Sequence, residues 1–463
     1  MARTYLDERA GAGEPLALWR DDWYTHRGAV WEPVDRRDVR ADLVRWLDDA
    51  EMLADGRPVP WGPIRDKTIT DILALLGDLA LRRASEGPTV GMFLADVWLN
   101  ADMEPREYTP AVWNTSVASY RWDVRAECPR TLAWLSDILS AADVEVLRQW
   151  LGYLVSGRTD LQKMLVMIGP PRSGKGTLLW LMEELLGPGS TASVAKLSVF
   201  AETFGLESFL GKRLVVMPDV RWTSQHTADA VPEILSITGC DARDVNRKNK
   251  TTWHGRLAVR FVAASNDTPS MADASGALAG RMITITMSKS FLGKEDPALR
   301  DALREELPGI LQWALGGLRE LERAGRFVES QESVEAREEM RRSANPLFLF
   351  IEDDCVKGPY ACVLLDTLYE RYESWCRKWG YSRLPAHIVS RQLQNTYRGE
   401  ITTERVRRPS DGVRVRWLRG VTLRMDPRYS QGPLTGILYL EPPVPDEPVP
   451  DPVPDAVPDE YGP

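Results

Sequence analysis

The sequence predicts an α/β core of the phosphate-loop type, with a mostly helical region before it and a winged-helix-like unit after it. Three observations predict this. First, the apolar run 164–168 enters the loop Gly169-Pro170-Pro171-Arg172-Ser173-Gly174-Lys175-Gly176-Thr177, which opens onto the helical pattern 178–186. Second, apolar strand-like runs alternate with helical stretches from 155 to 325. Third, two helical stretches between 364 and 395 precede a hairpin-like pair of strands that carries arginines on one face.

The chain has 463 residues, enough for two or three domains. Residues 1–150 read as mostly helical and tryptophan-rich, with helical patterns near 39–53, 69–83 and 132–154 and an irregular stretch from Leu94 to Trp122. Residues 151–330 form the α/β region. Its further strands are expected at 213–217, 259–264 and 282–286, and an amphipathic helix follows at 305–325. A smaller unit is expected over 335–430, its hairpin turning at Pro409-Ser410-Asp411-Gly412. Residues 436–463, with repeated Pro-Val-Pro-Asp, are expected to be an extended acidic tail.

Composition narrows the classes. The five cysteines are scattered and odd in number, which suits a reducing compartment, and no C-x2-C pair points to zinc among Cys355, Cys362, Cys376 and His387. No apolar run approaches a membrane span, so a cytoplasmic protein without a membrane partner is expected. The net charge of −9 is concentrated in the tail, where residues 441–463 carry seven acids and no base. The remaining body is near −2 and can present local basic surfaces.

The loop carries the chemistry. Glycines let backbone N–H groups approach phosphates, the helix N-terminus favours negative charge, and Lys175 adds a point charge. The residues expected to hold a nucleoside triphosphate are Gly169, Pro170, Arg172, Ser173, Gly174, Lys175, Gly176 and Thr177. The residue after Lys175 is Gly176, so the hydroxyl for a magnesium ion falls to Thr177, with Ser173 as a further contributor. Asp219, just past the strand 213–217, is the expected metal acid. Pro218 and Val220 flank it, so no second acid stands beside it to polarise water; Glu233, Asp241 and Asp267 remain open for that role. Asn266 follows a strand and suits a water-orienting side chain. Arg281 suits a group reaching a neighbouring subunit's nucleotide. Arg243, Arg247, Lys248 and Lys250 cluster between two strands and suit DNA phosphates. A second basic region runs from Arg405 to Arg428 and includes Arg407, Arg408, Arg414, Arg416, Arg419 and Arg424.

Taken in order, GPPRSGKGT, FGLESFLGKRLVVMPDVR, ITGCDARDVNRKNK, RFVAASNDTPSM, SGALAGRM and ELPGILQWALGGLREL resemble the phage and plasmid primase–helicase family, related to the poxvirus primase–helicase, whose motor is a superfamily 3 helicase. WDVRAECPRTLAWLSDIL and LRQWLGYLVSG resemble that family's helical domain before the motor. The resemblance spans about residues 15–425 and is strongest over 150–320. It implies an AAA+-like P-loop ATPase core using ATP and Mg2+, assembled as a homo-hexameric ring on single-stranded or forked DNA and moving 3′ to 5′. It places Lys175 and Thr177 in the first nucleotide motif, Asp219 as the second-motif acid, Arg247 and Lys248 in the DNA-contacting hairpin, Asn266 as the sensor and Arg281 as the arginine finger. It also implies a winged helix after the motor. Members with primase activity carry an upstream catalytic domain with paired acids and a histidine. Here Asp21, Asp22 and His26 are the only such residues, so a helicase working with a separate primase chain is expected. Two other readings stay open: an ATP-dependent DNA-binding assembly factor that does not unwind, and a nucleotide kinase, because Gly-Lys-Gly-Thr also occurs in kinase loops.

Overall fold

The computed structural model describes residues 1–54, 57–60, 64–82, 90–220, 222, 224–268, 277–344, 346–381, 383–407 and 413–424. They fall in two compact units, Met1–Ala344 and Asn345–Pro463. The regions 1–150 and 151–330 therefore belong to one unit. The expected turn 409–412, Arg408, Arg428 and the tail 436–463 lie outside the described residues.

The first 150 residues are mixed rather than mostly helical. Helix α1 (Ala2–Gly11) precedes a three-stranded antiparallel sheet of β1 (Leu16–Trp19), β2 (Asp22–Arg27) and β3 (Val30–Val34). Then come α2 (Arg36–Asp49), the hairpin β4 (Glu51–Ala54) and β5 (Arg57–Pro60), α3 (Asp66–Leu79), and the short strands β6 (Met92–Phe93), β7 (Trp98–Leu99) and β8 (Pro105–Arg106). Trp19, Trp31 and Trp113 fill a small aromatic core of their own. The sheet β1–β3 holds the tryptophans that the sequence suggested were helical. The tight turn between β1 and β2 puts Arg20 and Asp21 at φ of 54° and 68°, left-handed backbone that usually calls for glycine.

Helices α4 (Pro129–Ile138) and α5 (Ala141–Ser156) replace the single pattern expected over 132–154. The break falls at Ser140, whose hydroxyl accepts from the Asp143 N–H at 3.1 Å and starts the second helix. The core sheet follows: β9 (Met164–Ile168), α6 (Lys175–Leu186), β10 (Thr191–Ser193), β11 (Leu214–Met217), α7 (Ser224–Thr238), the hairpin β12 (Ala242–Val245) and β13 (Trp253–Arg256), β14 (Arg260–Ser265), α8 (Ala277–Arg281) and β15 (Met282–Thr286). Five parallel strands stand in the order β10-β11-β14-β9-β15. Both faces are covered, so β9 and β14 are buried at every residue. One face, with Leu165, Met167 and Ile283, packs on α5, α6 and α10 (Leu307–Ala324), which follows α9 (Leu299–Glu305). The other, with Val166, Val215 and Phe261, packs on Phe200, Phe209 and Ile234.

Helices α5 and α10 approach closely through glycines. A Cβ on Gly152 would lie 2.5 Å from the Ala314 carbonyl oxygen. Gly152→Ala is therefore expected to destabilise the protein by about 2 kcal/mol, overriding the roughly 1 kcal/mol that alanine usually gains in a helix. A lower midpoint in guanidinium unfolding checks this, and a raised midpoint refutes the close crossing.

Helix α11 (Gln331–Ala344) closes the first unit. The second holds α12 (Pro346–Asp354), β16 (Cys355–Leu364), α13 (Leu365–Trp379), α14 (Ala386–Thr396), β17 (Thr402–Arg407) and β18 (Arg414–Leu423). Its sheet order is β16-β18-β17, antiparallel, over a core that includes Phe350, Leu368, Tyr372 and Leu393.

Candidate functional site

In parallel sheets, ligands collect beyond the C-terminal strand edge where successive connections run opposite ways. Here the chain leaves β9 for the far edge at β10, and later crosses from β14 over β9 to β15. At that edge lies a cleft of about 660 Å³, lined by residues 171–177, Asp219 and Asn266. The cleft size suits a nucleotide. Strand β14 separates β9 from β11, so Asn266 projects between the loop and Asp219.

The loop is held in shape by its own backbone. Gly174 has φ of 102° and Arg172 of 63°. A Cβ on Gly169 would come within 2.5 Å of the Met287 carbonyl oxygen. The segment after β15 clasps the loop: the Phe291 N–H donates to the Arg172 carbonyl at 2.9 Å, and the Ser290 hydroxyl donates to that of Pro171 at 2.9 Å. Lys175 Nζ donates to the carbonyls of Gly169 at 2.5 Å and Pro170 at 2.8 Å, and to Ser173 Oγ at 3.3 Å. An ammonium held by loop carbonyls is poised to exchange them for phosphate oxygens. Burial pulls Lys175 below the ordinary lysine value, and the nearby Asp219 carboxylate opposes that shift. Thr177 and Asp219 supply a hydroxyl and a carboxylate to the same cleft, hard oxygen donors that fit a magnesium ion completed by phosphates.

Several lining residues carry no motif. Trp134, Asp137 and Ile138 come from α4, and Phe291, Glu295 and Asp296 from the segment after β15. Only the fold brings these segments to the loop. Of the acids left open for water activation, Glu233 is ion-paired with Arg243, and neither Asp241 nor Asp267 lines the cleft. The cleft's other acids are Asp137, Glu295, which pairs with Arg172 at 3.6 Å, and Asp296, which accepts from the Ala298 N–H.

Arg281 stands elsewhere. It precedes β15, whose Met282 pairs with Met164, the first residue of β9, whereas the loop follows the last. Five strand residues separate the two ends, about 16 Å at 3.3 Å each. Arg281 donates to the Leu235 carbonyl and to Thr238 Oγ1 at the C-terminus of α7. It does not line its own chain's cleft.

The basic cluster is largely answered by acids of the same chain. Arg243 is tied to Glu233 and largely buried. Arg247, expected from the sequence as a DNA contact, is only 8% exposed. Its guanidinium donates to the Arg20 carbonyl at 3.0 Å and to Asp22 at 3.2 Å, with Asp21 at 3.7 Å. Lys250 Nζ donates to both oxygens of Asp22, at 2.6 and 2.8 Å, and the Thr251 hydroxyl donates to Asp21 at 2.7 Å. The strained β1–β2 turn thus sets two carboxylates against the cations of this cluster. Among the described residues Lys248 alone of the four is exposed with no acid paired to its ammonium, although its backbone N–H donates to the Glu207 carboxylate at 3.1 Å. Asp22→Asn is expected to tighten single-stranded DNA binding about three- to tenfold at low salt, with the gain shrinking as salt rises. Fluorescence anisotropy at two salt concentrations checks this, and unchanged affinity would mean that the cluster does not meet DNA.

In the second unit, His387 and Arg391 of α14 face Arg405 and Arg416 across a groove of about 430 Å³. Arg405 and Arg416 are directly paired on β17 and β18, a like-charge juxtaposition that disfavours the sheet and favours an anionic partner.

A family model described as "Family of unknown function (DUF5906)" matches residues 167–281, from the end of β9 through Arg281. Two solved structures share the fold of the chain: "The A form apo structure of NrS-1 C terminal region-CTR" and that of the same region bounded as 305-718. Each has a TM-score of 0.50 at 11% identity, covering 90% of this chain and 98% of the other. At that identity the likeness is one of fold, and it extends well beyond the cleft.

Proposed function

We propose that this chain is an ATP-driven DNA helicase of the superfamily 3 type, serving replication of a phage or other mobile element in the host cytoplasm. One observation carries the reading: Lys175, Thr177, Asp219 and Asn266 gather in one nucleotide-sized cleft, while Arg281 stands at the opposite sheet edge. Such a layout suits a ring in which each nucleotide lies between neighbouring subunits. Lys175 and the first-turn N–H groups of α6 hold the phosphates. Thr177 and Asp219 hold magnesium, which neutralises phosphate charge when bound. Asn266 orients water, and Arg281 of the next subunit stabilises transition-state charge. We take the ring to be a homo-hexamer moving 3′ to 5′ on single-stranded DNA, with a separate primase as partner. The loop 246–252 tracks the strand, and the second unit acts as a winged helix whose α14 and Arg405–Arg416 pair grip DNA.

A second reading, an ATP-dependent DNA-binding assembly factor that does not unwind, draws on two features. Asp219 has no adjacent acid, and carboxylates of the same chain occupy the basic loop. The deciding experiment is unwinding of a forked duplex with ATP and magnesium by the native chain and by Lys175→Ala. Unwinding that vanishes in the variant supports the motor. A native chain that binds DNA and forms rings without unwinding overturns it.

A further inference from the structure

At the opposite, N-terminal edge of the core sheet, a second cavity of about 140 Å³ opens between β11, β14, β13 and the loop around Asn114. Its floor holds two cations, one buried and one half-buried. Arg260, the first residue of β14, is 2% exposed, and Arg213 directly precedes Leu214, the residue of β11 that pairs with it. Their guanidiniums converge: a Cβ placed on Gly157 would lie 3.4 Å from Arg260 Nη2 and 3.7 Å from Arg213 Nη2. Arg213 Nη2 donates to the Val155 carbonyl at 2.7 Å, and Arg260 Nη1 to those of Ala258 at 3.0 Å and Arg213 at 3.3 Å. Arg260 Nε and Nη2 have no partner. Neither do Arg20 Nε, Trp253 Nε1 or Asn114 Oδ1, which belong to residues lining the same cavity. Among the described residues no carboxylate lines it. Burial, with the like charge of Arg260, pulls Arg213 down to about 9, and burial pulls Arg260 to about 10; Tyr120 and Tyr153 offset this only in part.

Unpaired buried donors and charge are strongly unfavourable unless something answers them. Water entering past Lys212 and Arg256 at the mouth can accept hydrogen bonds but supplies no negative charge. The inventory is four unpaired donor atoms and one acceptor, with three guanidiniums, those of Arg20, Arg213 and Arg260. That is the complement of a small oxyanion which accepts several hydrogen bonds and donates one.

We infer that this cavity is a binding site for a phosphate that keeps one P–OH, either free hydrogen phosphate, a dianion, or the singly protonated phosphate of a nucleoside monophosphate, a monoanion. Arg260 and Arg213 neutralise the charge, Arg20 and Trp253 donate to its oxygens, and Asn114 Oδ1 accepts the remaining hydroxyl. This role rests on the ATPase reading above, in which free phosphate is a product; the site then takes it up apart from the nucleotide cleft.

Calorimetric titration of the full chain with inorganic phosphate tests this. Lys175→Ala serves as background to weaken phosphate binding in the nucleotide cleft. One phosphate per chain is expected, with sulfate markedly weaker because it has no proton to give Asn114. Adding Arg260→Met should weaken binding at least tenfold, and adding Trp253→Phe about threefold. A monophosphate that binds tighter than phosphate identifies a nucleotide source, and the reverse order identifies free phosphate. Absence of phosphate binding in the Lys175→Ala background, or affinity unchanged by Arg260→Met, overturns the assignment. Should Arg260→Met fail to fold, the Trp253→Phe and Arg20→Met affinities decide in the same way.

Discussion

Mixing Lys175→Ala protein with Arg281→Ala protein is expected to recover ATP turnover that neither has alone. The reason is distance along the sheet. Arg281 adjoins the start of β9 and the glycine-rich loop 169–177 leaves its end, so the two cannot meet within one chain. Arg281→Ala should lower turnover by about 10³-fold, the lower range for an arginine that stabilises phosphoryl-transfer charge. Lys175→Ala should be as severe. In random mixed rings about a quarter of interfaces join an intact cleft to an intact arginine, and those should turn over. No recovery at any mixing ratio, with rings formed, would refute action between subunits. The arginine has a second duty to control for. It binds the Leu235 carbonyl and Thr238 at the end of α7, so the variant's melting curve must accompany its kinetics. A merely structural role would lower stability without being rescued by a partner that supplies only an arginine.

Asp219→Asn should separate nucleotide binding from turnover. The substitution keeps the side chain's size and removes the charge that, with Thr177, is proposed to hold magnesium. We expect kcat to fall about 10²- to 10³-fold while ATP still binds within a few-fold of native affinity. Lys175 faces the opposite change: with Asp219 neutral, the carboxylate no longer opposes the fall in its pKa, which should drop further. Loss of nucleotide binding along with turnover would mean that Asp219 holds the phosphates' environment together rather than the metal. Turnover at the native rate would remove Asp219 from the reaction altogether.

What could be read from the sequence was local. Strand β9, the loop and α6 are contiguous, and their periodicity, glycines and lysine announce them. Strands β11, β14 and β15 were found within one residue at each end for the same reason. β10, only Thr191–Ser193, is too short for any periodic signal. The sheet β1–β3 was misread because its turn uses Arg20 and Asp21 where a hairpin signal would need Asn or Gly. The site divides likewise. Asp219 and Asn266 could be placed because each follows a legible strand. Trp134, Asp137 and Phe291 could not, since they reach the cleft only through the packing of α4 and the segment after β15. Arg247 shows the limit most sharply: its charge was plain, but its partners Asp21 and Asp22 lie about 225 residues upstream. The paired cations Arg213 and Arg260 likewise meet only through strand register.

The place of β9 in the sheet also bears on how the chain is made. Its hydrogen-bonding neighbours are β14 and β15, both about 100 residues later in the chain. At ordinary rates of synthesis, Met164-Leu165-Val166-Met167-Ile168 waits roughly 5–20 s before either partner exists. An uncharged apolar segment without proline, with both edges unpaired, is the kind that associates with its like on neighbouring nascent chains. Fragments ending before Thr286 should therefore be recovered mainly as aggregate, and slower synthesis should make this worse unless a chaperone covers the segment. The strand that positions the glycine-rich loop is thus one of the earliest parts of the core to be made and among the last to be protected.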